Sequence, residues 1–237
     1  MTTRPGSFNI TDHAIETAKL KPGFKVLDVG CGEGDTVNHL NELGMEAEGI
    51  EMSLPKIADA KEKYPEINVK FGDGEFLDEY LSFTFDAVFM ESVLSMINMP
   101  EEAMHEAFCV LKKGGRLIIC DLYEIDPDPQ EVMAVKLEAD RQARIPHQEG
   151  DCEERTLKLV DFRYKGAFFK EPLLKQLEEI GFKVLAFEDR TEDLQEYIGQ
   201  GPQAEEKWQS ISRDLALEAA GKRRELGYFL LVAQKPF

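Results

Sequence analysis

Cations are in short supply in this sequence: 28 Lys and Arg stand against 46 Asp and Glu, a formal net charge of −18 at pH 7. Affinity for nucleic acid rests on cationic contacts with phosphates, so a surface this acidic argues against a DNA or RNA partner. The short run Lys222-Arg223-Arg224 reads as a solvated helix end. Cysteine is also sparse. Cys31, Cys109, Cys120 and Cys152 are too few and too dispersed for a disulfide framework, and no CxxC pair or Cys/His cluster has zinc spacing, so no metal is expected. Nowhere does an apolar stretch reach the roughly 18 residues that a membrane-crossing helix needs. Residues 1–10 lack the basic and apolar regions of a secretory signal. These absences lead us to expect a reduced, soluble, cytoplasmic protein with no membrane partner.

What remains is an ordinary globular composition, 43% hydrophobic over 237 residues, enough for one α/β domain with an elaboration. After Lys21-Pro22-Gly23, residues 24–29 form a short apolar run ending in glycines, which reads as a strand buried on both faces. Val37, Leu40 and Leu43 then recur at helical spacing until Gly44. Strands follow at 45–51, 67–71, 85–90 and 116–122, with helices opened by Ser53 and Pro55 and by Pro100-Glu101-Glu102. Strands at 182–187 and 227–233 close the chain, the first preceded by a helix over 171–180. This alternation predicts an α/β fold with seven strands, mostly parallel, and helices on both faces. Three segments stand outside the rhythm. They are an N-terminal arm, 1–20, with a helix over 11–18 capped by Thr11 or Asp12, and two insertions, 124–168 and 190–225. The first insertion has a weak helix near 130–144, and the second an amphipathic one with Ala204, Trp208, Ile211 and Leu215 on one stripe. Such additions commonly form a lid over the mouth of the sheet.

The central motif is Val26-Leu27-Asp28-Val29-Gly30-Cys31-Gly32-Glu33-Gly34, a buried strand leading through close glycines into a helix. Glycines here allow positive φ and let a ligand approach the backbone. A dinucleotide fold shows G-x-G-x-x-G with a pyrophosphate at the helix N-terminus. Here the spacing is G-x-G-x-G, and position 35 is Asp. Carboxylates at Asp28, Glu33 and Asp35 repel a pyrophosphate and suit a cofactor with positive charge. S-adenosylmethionine carries both a sulfonium and an ammonium.

At this motif the chain resembles the class I S-adenosylmethionine-dependent methyltransferases, whose first motif is acidic-x-G-x-G-x-G, and the likeness continues through about residues 20–122. The resemblance implies a Rossmann-like sheet. It also implies that Asp28, Gly30, Cys31, Gly32, Gly34, Glu51 and Met52, with Asp73, Gly74 and Glu91, surround the cofactor. Glu51 follows Asp28 by 23 positions at a strand end and is the family's ribose-binding acid. In Gly72-Asp73-Gly74-Glu75-Phe76, Asp73 takes the place of the acid that accepts from the adenine amino group. The next backbone amide then meets the ring. A ligand-free turn is the alternative reading of this Gly-Asp-Gly. Phe85-Asp86-Ala87-Val88 matches a family strand that brings Glu91 and Ser92 to the methyl donor, with Asp86 structural. Leu111-Lys112-Lys113-Gly114-Gly115 resembles the family's L-K-P-G-G turn, with Lys113 replacing proline.

Methyl transfer is an in-line displacement, and alignment of the reactants is the protein's main task, worth on the order of 7–11 kcal/mol. A hydroxyl or ammonium acceptor needs a general base; a thiolate, selenide, metalloid or carbanion does not. Polar residues projecting toward the crevice are Glu91, Asp121, Tyr123 and His147, of which Glu91 and Tyr123 form the preferred acceptor site. The wider pattern is similar to the small-molecule branch that includes ubiquinone-pathway and arsenite methyltransferases, type 11. Only Cys152 lies in an acceptor region, which makes an arsenic thiolate site doubtful. The expected function is methyl transfer to a small-molecule acceptor. A non-catalytic protein binding S-adenosylmethionine or S-adenosylhomocysteine for regulation is the alternative, and a nucleotide-dependent oxidoreductase a weaker one. Monomer and homodimer both stay open.

Overall fold

The computed structural model describes residues 4–143, 160–164, 166–199 and 225–237. Its centre is a parallel sheet of β1 (Lys25–Val29), β2 (Glu46–Glu51), β3 (Asn68–Phe71), β4 (Phe85–Glu91) and β5 (Leu111–Glu124), in the order β3-β2-β1-β4-β5. β9 (Leu226–Gln234) runs antiparallel along β5, and β8 (Lys183–Asp189) antiparallel along β9. These are the seven predicted strands. Two more were not predicted, β6 (Arg163–Tyr164) and β7 (Ala167–Phe168), a two-residue hairpin pair inside the first insertion. β5 outruns β4, and beyond the last β4 partner Tyr123 pairs with Phe168 of β7. Among the described residues the count is nine, and the extra pair was not foreseen because two-residue strands have no period to read in the sequence.

Both faces of the sheet are covered over β1, β4, β5 and β9, which explains the nearly continuous apolar runs in those strands. On one face Val26, Phe89, Ile118 and Leu230 meet residues of α1 (Ser7–Ala18), α2 (Asp35–Glu42) and α3 (Leu54–Lys63). On the other, Leu27, Val88, Ile119 and Leu231 meet α4 (Pro100–Val110) and α6 (Lys170–Ile180). Alternate residues of each strand feed alternate cores. The weak helix of the first insertion is α5 (Pro129–Ala143). The second insertion opens with a helix the sequence reading did not place, α7 (Thr191–Ile198), which buries Leu194.

The N-terminal helix differs from expectation. It starts at Ser7 with Gly6 as its cap residue, so Thr11 lies inside the helix and is fully buried instead of capping it. Among the described residues no helix is long and apolar enough to cross a membrane. The stripe of Ala204, Trp208, Ile211 and Leu215, together with His147, Cys152 and Lys222 to Arg224, lies outside the described residues.

Candidate functional site

Three acids converge because three neighbouring strands end side by side. β1 lies between β2 and β4, in a register that pairs Val29 with Ile50 and Asp28 with Phe89. Glu51 closes β2, Asp28 stands just before the end of β1, and Glu91 closes β4. β1 is also where the strand order reverses, and open α/β sheets bind ligands at such a point.

A cavity of about 620 Å³ opens at this edge, within the roughly 300–1,000 Å³ usual for small-molecule sites. Its wall brings together Asp28, Gly30, Cys31, Gly32, Glu51, Met52, Asp73, Gly74 and Glu91. Gly34 is not on the wall. It is the left-handed residue before α2, φ +78°, and a Cβ there would sit 2.4 Å from Ile67 Cδ1, so its role is packing. Gly30 and Gly32 both have positive φ but differ in surroundings. A Cβ on Gly30 would come within 2.3 Å of Val93, whereas one on Gly32 meets nothing within 4 Å. Gly32 therefore faces open cavity, and its N–H donates to Glu51 Oε2 at 3.0 Å. The other Glu51 oxygen accepts the Ser53 N–H at 2.9 Å. Each oxygen keeps a lone pair for a further donor. Asp73 fixes its own turn by accepting the Glu75 N–H at 3.0 Å.

Asp28 is buried, and no described residue donates a hydrogen bond to its carboxylate. Burial, and then the negative charge of Glu91, lifts its pKa well above the usual carboxylate range against the pull of Arg4. Glu91, unlike Asp28, is hydrogen-bonded at both carboxylate oxygens. Its Oε1 accepts from Thr11 Oγ1 at 2.8 Å, and its Oε2 accepts from Thr36 Oγ1 at 2.9 Å and pairs with Arg4 Nη2 at 2.8 Å. Arg4 also lines the cavity; among the described residues Lys56 is the one other cation on the wall, which carries seven carboxylates. Two of those seven, Glu33 and Asp35, are partly neutralised from outside. Lys63 lies 3.5 Å from Glu33 and 2.7 Å from Asp35, which also accepts from Tyr64 Oη. The Cys31 thiol is pushed up by burial and then by Asp28 and Glu51, so it stays protonated.

The second predicted acceptor residue is elsewhere. Tyr123 is buried in the core, its ring edge-on to Phe187 and Phe229, with centroids 5.6 and 6.0 Å away. Its hydroxyl is bonded to Thr191 and Asp189 and does not reach the cavity. Asp121 also points away, accepting the N–H groups of Ser95 and Leu122 at 2.9 and 2.8 Å. Ser92 does line the cavity, in a left-handed conformation (φ +55°), with its hydroxyl 2.6 Å from that of Tyr228. Asp86 is structural as expected, accepting from the Lys25 N–H and from Lys112. Sequence reasoning missed Arg4, Thr11 and Thr36. Thr11 and Thr36 lie at buried helical positions and Arg4 precedes α1, and no pattern in the sequence links the three to Glu91.

This chain is similar to known proteins. A family model described as a methyltransferase domain matches residues 20–161, more than half of the chain. A demethylmenaquinone methyltransferase of Renibacterium salmoninarum is 31% identical over 107 residues, 45% of this chain and 45% of that protein. Phosphoethanolamine N-methyltransferase 1 of Triticum aestivum is 27% identical over 193 residues, 80% of this chain and 34% of its own length. The chain thus spans less than half the length of these curated relatives. Among solved structures, Haemonchus contortus phosphoethanolamine N-methyltransferase 2 in complex with S-adenosyl-L-methionine superposes with a TM-score of 0.67 at 18% identity, covering 99% of this chain and 54% of that one. That last likeness bears on the fold alone. Taken with the glycine loop, the strand-end acids and the cavity they enclose, the family match shows that the chain belongs to the methyltransferase domain family, the class I S-adenosylmethionine-dependent methyltransferases.

Proposed function

We propose that this chain transfers a methyl group from S-adenosylmethionine to a small-molecule acceptor seated between the carboxyl edge of the sheet and the 124–168 insertion. The observation that carries the reading is Asp28, a buried carboxylate to which no described residue donates a hydrogen bond, facing a cavity whose Arg4 is already paired with Glu91. Such a group awaits a cationic ligand.

Each residue then has a distinct task. Asp28 receives the ammonium of the methionine portion, and Arg4, across the same floor, receives its carboxylate. Glu51 accepts from the ribose hydroxyls through the lone pairs left free by Gly32 and Ser53. Asp73 accepts from the adenine amino group beside the Gly74 amide, and Met52 supplies apolar contact to the base. When bound, S-adenosylmethionine supplies an activated methyl group on a sulfonium leaving group. Val93, Met96 and Ile97 on the cavity wall exclude water from that end. Glu91 acts by holding Arg4 and α1 in place, since its oxygens already have three partners. Tyr123 serves the core.

The relatives named for demethylmenaquinone and phosphoethanolamine support a small-molecule acceptor without choosing one. Incubation with methyl-labelled S-adenosylmethionine across thiols, metalloids, phenols, amines and quinone precursors tests the proposal. Label transfer to one class is expected. Tight cofactor binding with no transfer to any class would contradict it and leave the regulatory binder, which no observation favours.

A further inference from the structure

The hairpin of β6 and β7 belongs to an insertion, yet it carries one of the largest fully buried side chains, Arg163, 2% exposed. Its guanidinium enters the loop after β4 and donates to backbone carbonyls. Nη1 reaches those of Leu94 and Ser95 at 3.3 Å and that of Ile97, and Nη2 reaches that of Asn98 at 3.1 Å. The same loop supplies Val93, Met96, Ile97 and Asn98 to the wall of the cofactor cavity. Within itself the loop has little to hold it, chiefly the Met96 and Ile97 N–H groups on the Val93 carbonyl. Donors in and just beyond it are tied from outside, Ser92 N–H by the Cys120 carbonyl at 2.7 Å, Ser95 N–H by Asp121 at 2.9 Å and Met99 N–H by Glu75 at 3.0 Å. Asp121 and Glu75 thus hold N–H groups while Arg163 holds carbonyls. Burial lowers the Arg163 pKa to about 10, with Glu101, Asp121 and Glu75 opposing the shift, so it is charged at neutral pH.

We propose that Arg163 is a positioning residue for the cofactor pocket, fixing the 92–98 wall through four carbonyls and so coupling the insertion to cofactor affinity. The identity of the ligand rests on the function proposed above; the anchoring of the loop does not. A planar fork of five N–H donors suits several carbonyls at once, whereas a lysine ammonium is a single point with three. A buried carbonyl that loses its donor carries a desolvation cost, so the loop opens more often.

Residue-resolved hydrogen exchange on the full chain tests this in two arms. In ligand-free wild type, the Met96 and Ile97 amides should open together with that of Phe169, which bonds the Phe162 carbonyl, at the same denaturant dependence. A hairpin that opens while 94–98 stays protected would overturn the proposal. In Arg163→Lys, exchange over 92–98 should accelerate about tenfold and S-adenosylhomocysteine should bind about tenfold more weakly. Lys235→Met, a variant remote from the cavity, serves as the stability control and should leave both unchanged. Unaltered exchange and affinity in a folded Arg163→Lys protein would equally overturn it. Failure of wild type to bind S-adenosylhomocysteine contradicts the proposed function instead, and the ligand-free arm still decides this one.

Discussion

Arg4 Nη2 lies 2.8 Å from Glu91 Oε2, so the N-terminal arm is bonded directly to the end of a central strand. Thr11 of α1 reinforces the link by donating to the other Glu91 oxygen. The arm is therefore part of the pocket floor. A cation removed from a buried pair leaves an uncompensated charge, typically at a cost of about 3–5 kcal/mol. Arg4→Met should lose about 3 kcal/mol, softened by the two threonine hydroxyls that remain. Urea unfolding of Arg4→Met, Glu91→Gln and the double variant checks this. The double variant should cost less than the sum of the singles, because the two side chains share one interaction.

The two glycines of the loop should separate folding from binding. Gly30→Ala forces a Cβ to 2.3 Å from Val93, at φ +72°, and should lower both the unfolding midpoint and cofactor affinity. Gly32→Ala meets no neighbour, so its fold cost is the left-handed backbone alone, roughly 1–2 kcal/mol. Its methyl group projects into the space a ligand needs. Cofactor affinity should fall in a protein that still folds, as thermal melts with and without S-adenosylhomocysteine will report.

Asp28 makes stability depend on pH with a definite sign. Its folded pKa is raised by burial and then by Glu91, above an unfolded value of about 3.9. The folded state therefore holds a proton that the unfolded state has lost, and stability declines as pH rises from about 4 toward the folded pKa. Asp121, raised by burial to about 6, adds a decline of the same sense between about 4 and 6. Asp28→Asn removes the first contribution. Its unfolding midpoint relative to wild type should increase between pH 4.5 and 7.5, while its affinity for S-adenosylmethionine drops.

Lys235 provides a control far from the cavity. Its Nζ donates to the Phe108 and Leu111 carbonyls at 2.6 and 2.9 Å, closing the C-terminal end of α4, and lies over the Phe83 and Phe108 rings. Lys235→Met should cost about 1–3 kcal/mol through carbonyls left without a charged donor. Calorimetry should find its cofactor affinity equal to that of wild type.

What the sequence made legible was local. Asp28 and the glycines sit where a buried apolar run stops and Glu51 closes the next strand, so the strand pattern placed them at one edge and the family resemblance gave them their roles. Asp73 announced itself by its turn. The partners of Glu91 were illegible for the converse reason: Thr11 and Thr36 come from helices distant in sequence, and a polar residue in an apolar helical stripe looks like a cap or a surface position. Tyr123 was misplaced because a strand end does not say which face a residue takes. In β5 Cys120 and Leu122 turn toward the α1 side and Tyr123 toward the α4 side, into the aromatic core. Arg163 was hidden by a hairpin too short to show a period.

Calorimetric titration of the full chain with S-adenosylmethionine tests the central claim most directly. The account predicts one binding site in wild type, with affinity reduced about tenfold or more in both Asp28→Asn and Glu51→Gln, charge-assisted contacts being the strong ones in such a pocket. No binding by wild type, or undiminished binding by both variants, would contradict it.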